Sequence, residues 1–287
     1  MCSLIKKLAI GSAQFGQKYG ISNKHGIVEP KDVHEILNLA NKNGIDTIDT
    51  AMSYGNSENV LGQYIKEKKT EWKIISKYDN YHEGIKNQIL SSAKLLNTYP
   101  ETVLAHNIDL FMDSRFQQEI QQIRNEGLIN KIGVSIYNKK EIDFVLQSKL
   151  KPEVVQLPIN ILDTRLYFQN YLKKLVDKKI QIHARSVFLQ GLFYLSKSEL
   201  KEKFKDVIPV LEKLRFAARK NNLSVAELSL SWVSSLDCIS KIIVGVASSK
   251  QLSSHISSLK KERNQSFFQE ALSLKYQNKN ILNPSLW

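Results

Sequence analysis

Four side chains of different chemistry stand just past short apolar runs of this sequence. Asp49 and Tyr54 lie in Asp46-Thr47-Ile48-Asp49-Thr50-Ala51-Met52-Ser53-Tyr54-Gly55, Lys77 follows Ile74-Ile75-Ser76, and His106 follows Val103-Leu104-Ala105. A carboxylate, a phenol, an ammonium and an imidazole brought together can move protons at a polarised bond. Taken singly, each has an ordinary explanation: a strand-end cap, a packed aromatic, a solvated lysine and a hydrogen-bonded structural histidine. Spacing changes the balance. A lysine directly after a buried strand projects inward, where an unpaired ammonium is costly, so it needs a counter-ion, and Asp49 is the candidate.

The elements that must position these groups follow from periodicity. Short β-branched or apolar runs at 7–11, 47–50, 73–76, 102–105, 131–134, 154–156, 180–184 and 242–244 alternate with longer amphipathic stretches, the pattern of repeated βα units around a parallel sheet. Helical patterns are read at 30–43, 57–68, 114–126, 139–147, 165–178, 207–220, 224–235 and 250–259, with a tail helix at 265–275. In the first, Val33, Ile36, Leu37 and Ala40 share one face and Gly44 stops the pattern. Eight such units without a proline-rich or glycine-rich linker predict one closed (β/α)8 barrel domain over 1–287, of TIM-barrel type. In a barrel the carboxyl ends of the strands face the active site, and that is where Asp49, Tyr54, Lys77 and His106 fall.

Composition bounds the rest. The chain has 287 residues, 42% hydrophobic and 24% charged, as soluble globular proteins do. No stretch approaches the roughly 20 apolar residues of a membrane span. No apolar leader with a small-residue cleavage site precedes Leu8, so the expected address is cytoplasmic. The net charge of +13 comes from lysines spread over every helix, not one tract, so nucleic acid is not expected as a partner. Cys2 and Cys238 form neither a disulfide framework nor a metal pair, and there is no His-Glu-x-x-His and no Gly-x-Gly-x-x-Gly. No metal is expected. Gly11-Ser12-Ala13-Gln14-Phe15-Gly16 has the glycine spacing of a phosphate loop, but Gln17 stands where the lysine is needed.

The segment Ile48-Asp49-Thr50-Ala51-Met52-Ser53-Tyr54-Gly55-Asn56-Ser57-Glu58 resembles the signature loop of the aldo-keto reductases. Similar pieces follow in order: Lys77, His106, Lys131-Ile132-Gly133-Val134-Ser135, Gln156-Leu157-Pro158-Ile159-Asn160, Ala184-Arg185-Ser186-Val187-Phe188-Leu189-Gln190-Gly191, and Val244-Gly245-Val246-Ala247-Ser248-Ser249. The resemblance implies hydride transfer from a nicotinamide cofactor to a carbonyl carbon, with Tyr54 as general acid. It implies that Lys77, held by Asp49, lowers the phenol's pKa toward working pH and that His106 orients the substrate oxygen. For the cofactor it implies Ser135 and Gln156 at the carboxamide, Arg185 at the ring, Ser186 near the pyrophosphate, and Gly191 among the cofactor contacts. Gly245, Ala247, Ser248 and Ser249 would sit at a helix N-terminus and Gln251 near the adenosine.

Two departures stand out. Ile136 replaces the asparagine that follows the strand-five serine in many relatives, and Gln251, Ser254 and His255 replace the residues that commonly hold a 2′-phosphate. Lys250 and Arg263 are candidates to compensate, and the expected cofactor is NADP(H) over NAD(H). Phe15, Tyr19, Tyr78, Phe188 and Tyr194 are candidates to wall a substrate pocket, and Gln14, Asn107, Asn160 and Gln190 to read hydroxyls. Gly11 to Gly16 followed by Tyr19-Gly20-Ile21 and Asn23 resembles reductases of sugar and surface-glycan metabolism, implying a small-molecule, sugar-derived carbonyl substrate. Two other readings are a Schiff-base aldolase using Lys77 and a non-catalytic nicotinamide-nucleotide sensor or subunit.

Overall fold

The structure, a computed structural model, describes residues 2–200, 202–261, 266–274 and 276–287. Eight strands pair in parallel in sequence order: β1 (Leu8–Gly11), β2 (Thr47–Asp49), β3 (Lys73–Tyr78), β4 (Thr102–Ala105), β5 (Lys131–Ser135), β6 (Val154–Pro158), β7 (Gln181–Arg185) and β8 (Ile239–Gly245). β8 pairs back onto β1 and closes the barrel. Their continuous apolar sequences are those of strands buried on both faces, with helices outside and a filled interior.

The outer ring is α1 (Pro30–Lys42), α2 (Ser57–Lys68), α3 (Ile85–Leu96), α4 (Ser114–Asn125), α5 (Lys139–Gln147) and α6 (Tyr171–Asp177), then α7 (Ile208–Lys220) and α8 (Val225–Ser234) before β8, and α9 (Ser249–Leu259) after it. Helix α3 is absent from the sequence reading. Its buried face is Ile85, Gln88, Ile89, Ser92 and Leu96 while Leu90 and Leu95 are exposed, so polar residues inside and apolar ones outside blur the period. The helix expected at 165–178 is broken: a turn at Arg165–Phe168 ends before Asn170, which adopts a left-handed φ of 59° and starts α6. The tail helix α10 runs Ser266–Leu272; the expected ends, Gln265 and Lys275, lie outside the described residues, as does Arg263.

Inside the barrel, Ile75, Leu104 and Val154 form an apolar plug. Leu104, Gly133 and Val154 are register neighbours on β4, β5 and β6, and Leu104 pairs with Lys77 on β3. A Cβ at Gly133 would stand 2.3 Å from Leu104 Cδ2 and 2.5 Å from the Val154 carbonyl oxygen, so only glycine leaves room for the plug. Above it, toward the carboxyl ends, the inward positions turn polar.

Candidate active site

Strand ends deliver the acid–base set to one place. Asp49 is the last residue of β2, and Lys77, one residue before the end of β3, sends its Nζ across to donate to Asp49 Oδ1 at 2.6 Å. The same ammonium donates to the Thr50 carbonyl at 2.7 Å and reaches Tyr54 Oη at 3.5 Å. Lys77 is 1% exposed and Asp49 3%, so the pair is desolvated and each needs the other. Gln156 on β6 donates from Nε2 to Asp49 Oδ2 at 2.7 Å, so both carboxylate oxygens have buried donors.

Tyr54 sits in the loop after β2, and that loop is clamped to the one after β1. Ser57 Oγ donates to Ser12 Oγ at 2.7 Å and lies 3.3 Å from Thr50 Oγ1. Gly16 packs so closely that a Cβ there would fall 2.0 Å from the Tyr54 carbonyl oxygen and 2.2 Å from the Ser57 nitrogen. Behind β3, the buried Glu58 carboxylate accepts from Ser76 Oγ at 2.7 Å, and burial pushes its pKa up.

Burial, and next the Asp49 charge, hold the Tyr54 phenol well above its ordinary pKa, with the Arg185 guanidinium opposing. The expectation that Lys77 brings the phenol down toward working pH is therefore corrected for this state. The Asp49 charge, itself 2.6 Å from Lys77, opposes the pull of Lys77 on the phenol 3.5 Å away.

His106 follows β4 and its ring meets that of Tyr54 edge-on, centroids 6.1 Å apart. Its Nδ1 is 2.5 Å from Asp79 Oδ1. The His106 imidazole holds the Asp79 carboxyl below the usual range, against burial. Asp79 escaped the sequence reading, although a carboxylate two residues beyond Lys77 was the available signal.

A cavity of about 390 Å³ opens beside these groups at the carboxyl ends of the strands. Asp49, Tyr54 and His106 line it, and so do Gln156, Arg185, Ser186, Gly191, Gly245, Ala247 and Gln251 of the expected cofactor set. Arg185 stacks on Tyr137, with Cζ 4.1 Å from the ring centroid, and its buried Nε has no partner. Gly11 and Gly245 line the wall without side chains, and Ser248 caps α9 by accepting from the Gln251 nitrogen. A cavity with side-chain-free strand ends, an unsatisfied guanidinium donor and a helix N-terminus suits an anionic nucleotide, so a nicotinamide dinucleotide fits these residues.

Several expected contacts are placed elsewhere. Ser135 is buried off the cavity wall, and Ser249 turns its hydroxyl to Glu35 at 3.0 Å on the outer surface. Gln251 spends its carbonyl oxygen on the Ala247 nitrogen. Lys250 faces a surface groove between α1 and α9, and His255 is buried in a stack on Phe188, its pKa pushed down to about 4 by burial. Of the aromatic walls, Tyr19, Phe188 and Tyr194 line the cavity, whereas Phe15 and Tyr78 are packed in the core. Of the four hydroxyl readers, Asn107 caps a helical turn and donates to the Asp79 carbonyl, and Asn160 bonds Ser186, Leu162 and Asp163. Gln14 and Gln190 both line the cavity, Gln190 donating there to Tyr19 Oη.

A model of the aldo/keto reductase family matches residues 7–274. Glyoxal reductase of Bacillus subtilis (strain 168) is 29% identical over 208 residues, 69% of this chain and 68% of that protein. The holo form of an aldo-keto reductase from Bacillus halodurans superposes with a TM-score of 0.76 at 19% identity, covering 94% of this chain and 92% of that one, and so shares the barrel. With a family model matched over nearly its whole length, this chain belongs to the aldo/keto reductases and is an oxidoreductase of the carbonyl–alcohol pair that uses a nicotinamide cofactor.

Proposed function

We propose that the chain reduces an aldehyde or ketone to an alcohol with NADPH, Tyr54 giving the proton. The observation that carries this reading is the set of three contacts made by Lys77: Asp49, the Thr50 carbonyl and the Tyr54 hydroxyl. The cofactor supplies hydride to the carbonyl carbon. Negative charge then grows on the carbonyl oxygen, and Tyr54, protonated at working pH, relieves it by donating its hydroxyl proton. The phenolate left behind lies 3.5 Å from the Lys77 ammonium, which stabilises it against the burial and the Asp49 charge that disfavour it. His106, fixed by Asp79, aligns the carbonyl oxygen from the other side of the Tyr54 ring.

Lys77 as a Schiff-base nucleophile is disfavoured, because an ammonium donating to three oxygens inside the barrel has no lone pair to offer. NADP(H) over NAD(H) is supported by the positive charge of the chain and by His25 and Lys24 on the cavity wall, where Lys24 pairs with Glu199. For the substrate, the glyoxal reductase relative supports a small carbonyl compound, and Gln14 supports one carrying a hydroxyl, as sugar-derived aldehydes do.

Fluorescence titration with NADPH and NADH, followed by cofactor oxidation over glyoxal, methylglyoxal and a panel of aldoses, tests binding and turnover together. Binding without turnover of any carbonyl would make the protein a nucleotide sensor. Tyr54→Phe is expected to keep cofactor affinity and lose about two to four decades of rate; unchanged turnover would remove Tyr54 from the mechanism.

A further inference from the structure

The loop that carries Tyr54 is tied to β3 on both sides of the phenol, and the two ties fall on adjacent residues. On the entry side the Met52 backbone nitrogen donates to the Lys77 carbonyl at 3.2 Å. On the exit side Glu58, in the first turn of α2, accepts from Ser76 Oγ at 2.7 Å. Side chains alternate along a strand, so Ser76 faces the helices while its neighbour Lys77 reaches inward to the phenol.

Glu58 and Ser76 are both buried, and Glu58 does not line the cavity. A desolvated carboxyl is costly, and an apolar side chain would fill the same place without that cost. What the carboxyl fixes lies close by. Between the two ties the Tyr54 nitrogen donates to the Ala51 carbonyl at 3.0 Å and the Ser57 nitrogen to the Tyr54 carbonyl at 3.1 Å. A shift of Glu58 is therefore passed to Tyr54 through a hydrogen-bonded turn. The Ser57 clamp joins this loop to the one after β1 and does not hold its exit against β3. The Lys77–Tyr54 separation, 3.5 Å, is already at the limit of a hydrogen bond and tolerates little lengthening.

We propose that Glu58 is a positioning residue for proton transfer: by holding Ser76 from outside the barrel it fixes the exit of the Tyr54 loop against β3 and so sets the reach from Lys77 to the phenol. The work needs an acceptor at this place and not a charge.

The inference rests on the carbonyl-reductase reading, and the two can fail separately. Wild-type protein that turns over no carbonyl ends that reading, while the crystallographic arm below needs no turnover.

Glu58→Leu removes the acceptor at similar size. Glu58→Gln keeps an acceptor for Ser76, and its NH2 group has the hydroxyl oxygens of Ser92 and Tyr78 nearby to donate to. In Glu58→Leu, kcat should fall about tenfold or more, while KM and the Kd for NADPH stay within about threefold. Glu58→Gln should recover most of the rate. In crystals grown under the same conditions, the Lys77–Tyr54 separation should exceed 3.5 Å in Glu58→Leu and match the wild type in Glu58→Gln. A Glu58→Leu rate within about threefold of wild type overturns the proposal. So does an unmoved phenol, a Glu58→Gln variant as slow as Glu58→Leu, or a rise in KM and Kd that parallels the fall in kcat. If Glu58→Leu does not fold, Ser76→Ala, which removes the donor, takes its place in both arms.

Discussion

β2 and β3 carry an acid–lysine contact at each end, and the two contacts behave oppositely. At the amino end, Asp46 accepts from Lys73 at 2.6 Å and from Lys241 at 2.9 Å, with the Asp46 side chain 42% and that of Lys73 56% exposed. At the carboxyl end, Asp49 and Lys77 are also 2.6 Å apart, but at 4% and 1%. Water screens the first and not the second. Exposed pairs contribute roughly 0–1 kcal/mol, whereas a buried pair repays its desolvation only if every partner is in place. The same two residue types therefore make a screened, modestly stabilising contact at one end and a mutually dependent buried pair at the other, and depth along the strand decides which.

The comparison is sharpest where the buried pair is broken. Lys77→Met should abolish turnover, by at least three decades, and leave Asp49 an uncompensated charge, lowering stability by about 3–5 kcal/mol in denaturant titration. Adding Asp49→Leu should restore much of the stability and none of the activity. If the single variant is as stable as wild type, the contrast between the two ends is wrong.

Next in size is Gly16→Ala. Its Cβ must displace the Tyr54 backbone, and a shift of about an ångström at the proton donor should cost on the order of 100-fold in kcat. A rate within threefold would show that the clamp between the first two loops does not position the phenol.

The smallest effects belong to the exposed end. Asp46→Asn should change stability by less than about 1 kcal/mol in physiological salt, and by less still at 1 M salt, with kcat unchanged. Burial works to raise the Asp46 pKa, but hydrogen bonds from Lys73, Thr47 and Lys241 outweigh it and hold the carboxyl well below the usual range. A depressed folded-state pKa contributes stability above the unfolded value of about 4 and loses it as pH falls further. The wild type should therefore lose this contribution in acid, and Asp46→Asn should be less sensitive there; identical acid limbs would count against the ion pair.

The rim set was legible in the sequence because each member follows a strand whose burial is written in consecutive apolar residues, and parallel strands end on one side. Lys77 after Ile74-Ile75-Ser76 had one place to go. The roles of the loop residues were not legible. Asn107 and Asn160 look like ligand readers by type, yet their side chains hold their own turns together, and nothing local distinguishes an amide spent on the backbone from one left free. Helix α3 was hidden by Gln88 and Ser92 on its inner face. The high pKa of Tyr54 was not foreseen because it depends on how much protein surrounds the hydroxyl, which no spacing records.

The plug of Ile75, Leu104 and Val154, closed by Gly133, lies between the lysine-bearing floor and the reactive rim. The molecule is thus two-sided in a practical sense. Changes to the charges of its floor, such as Lys73 and Lys241, are separated from the cavity by a layer of packed apolar side chains.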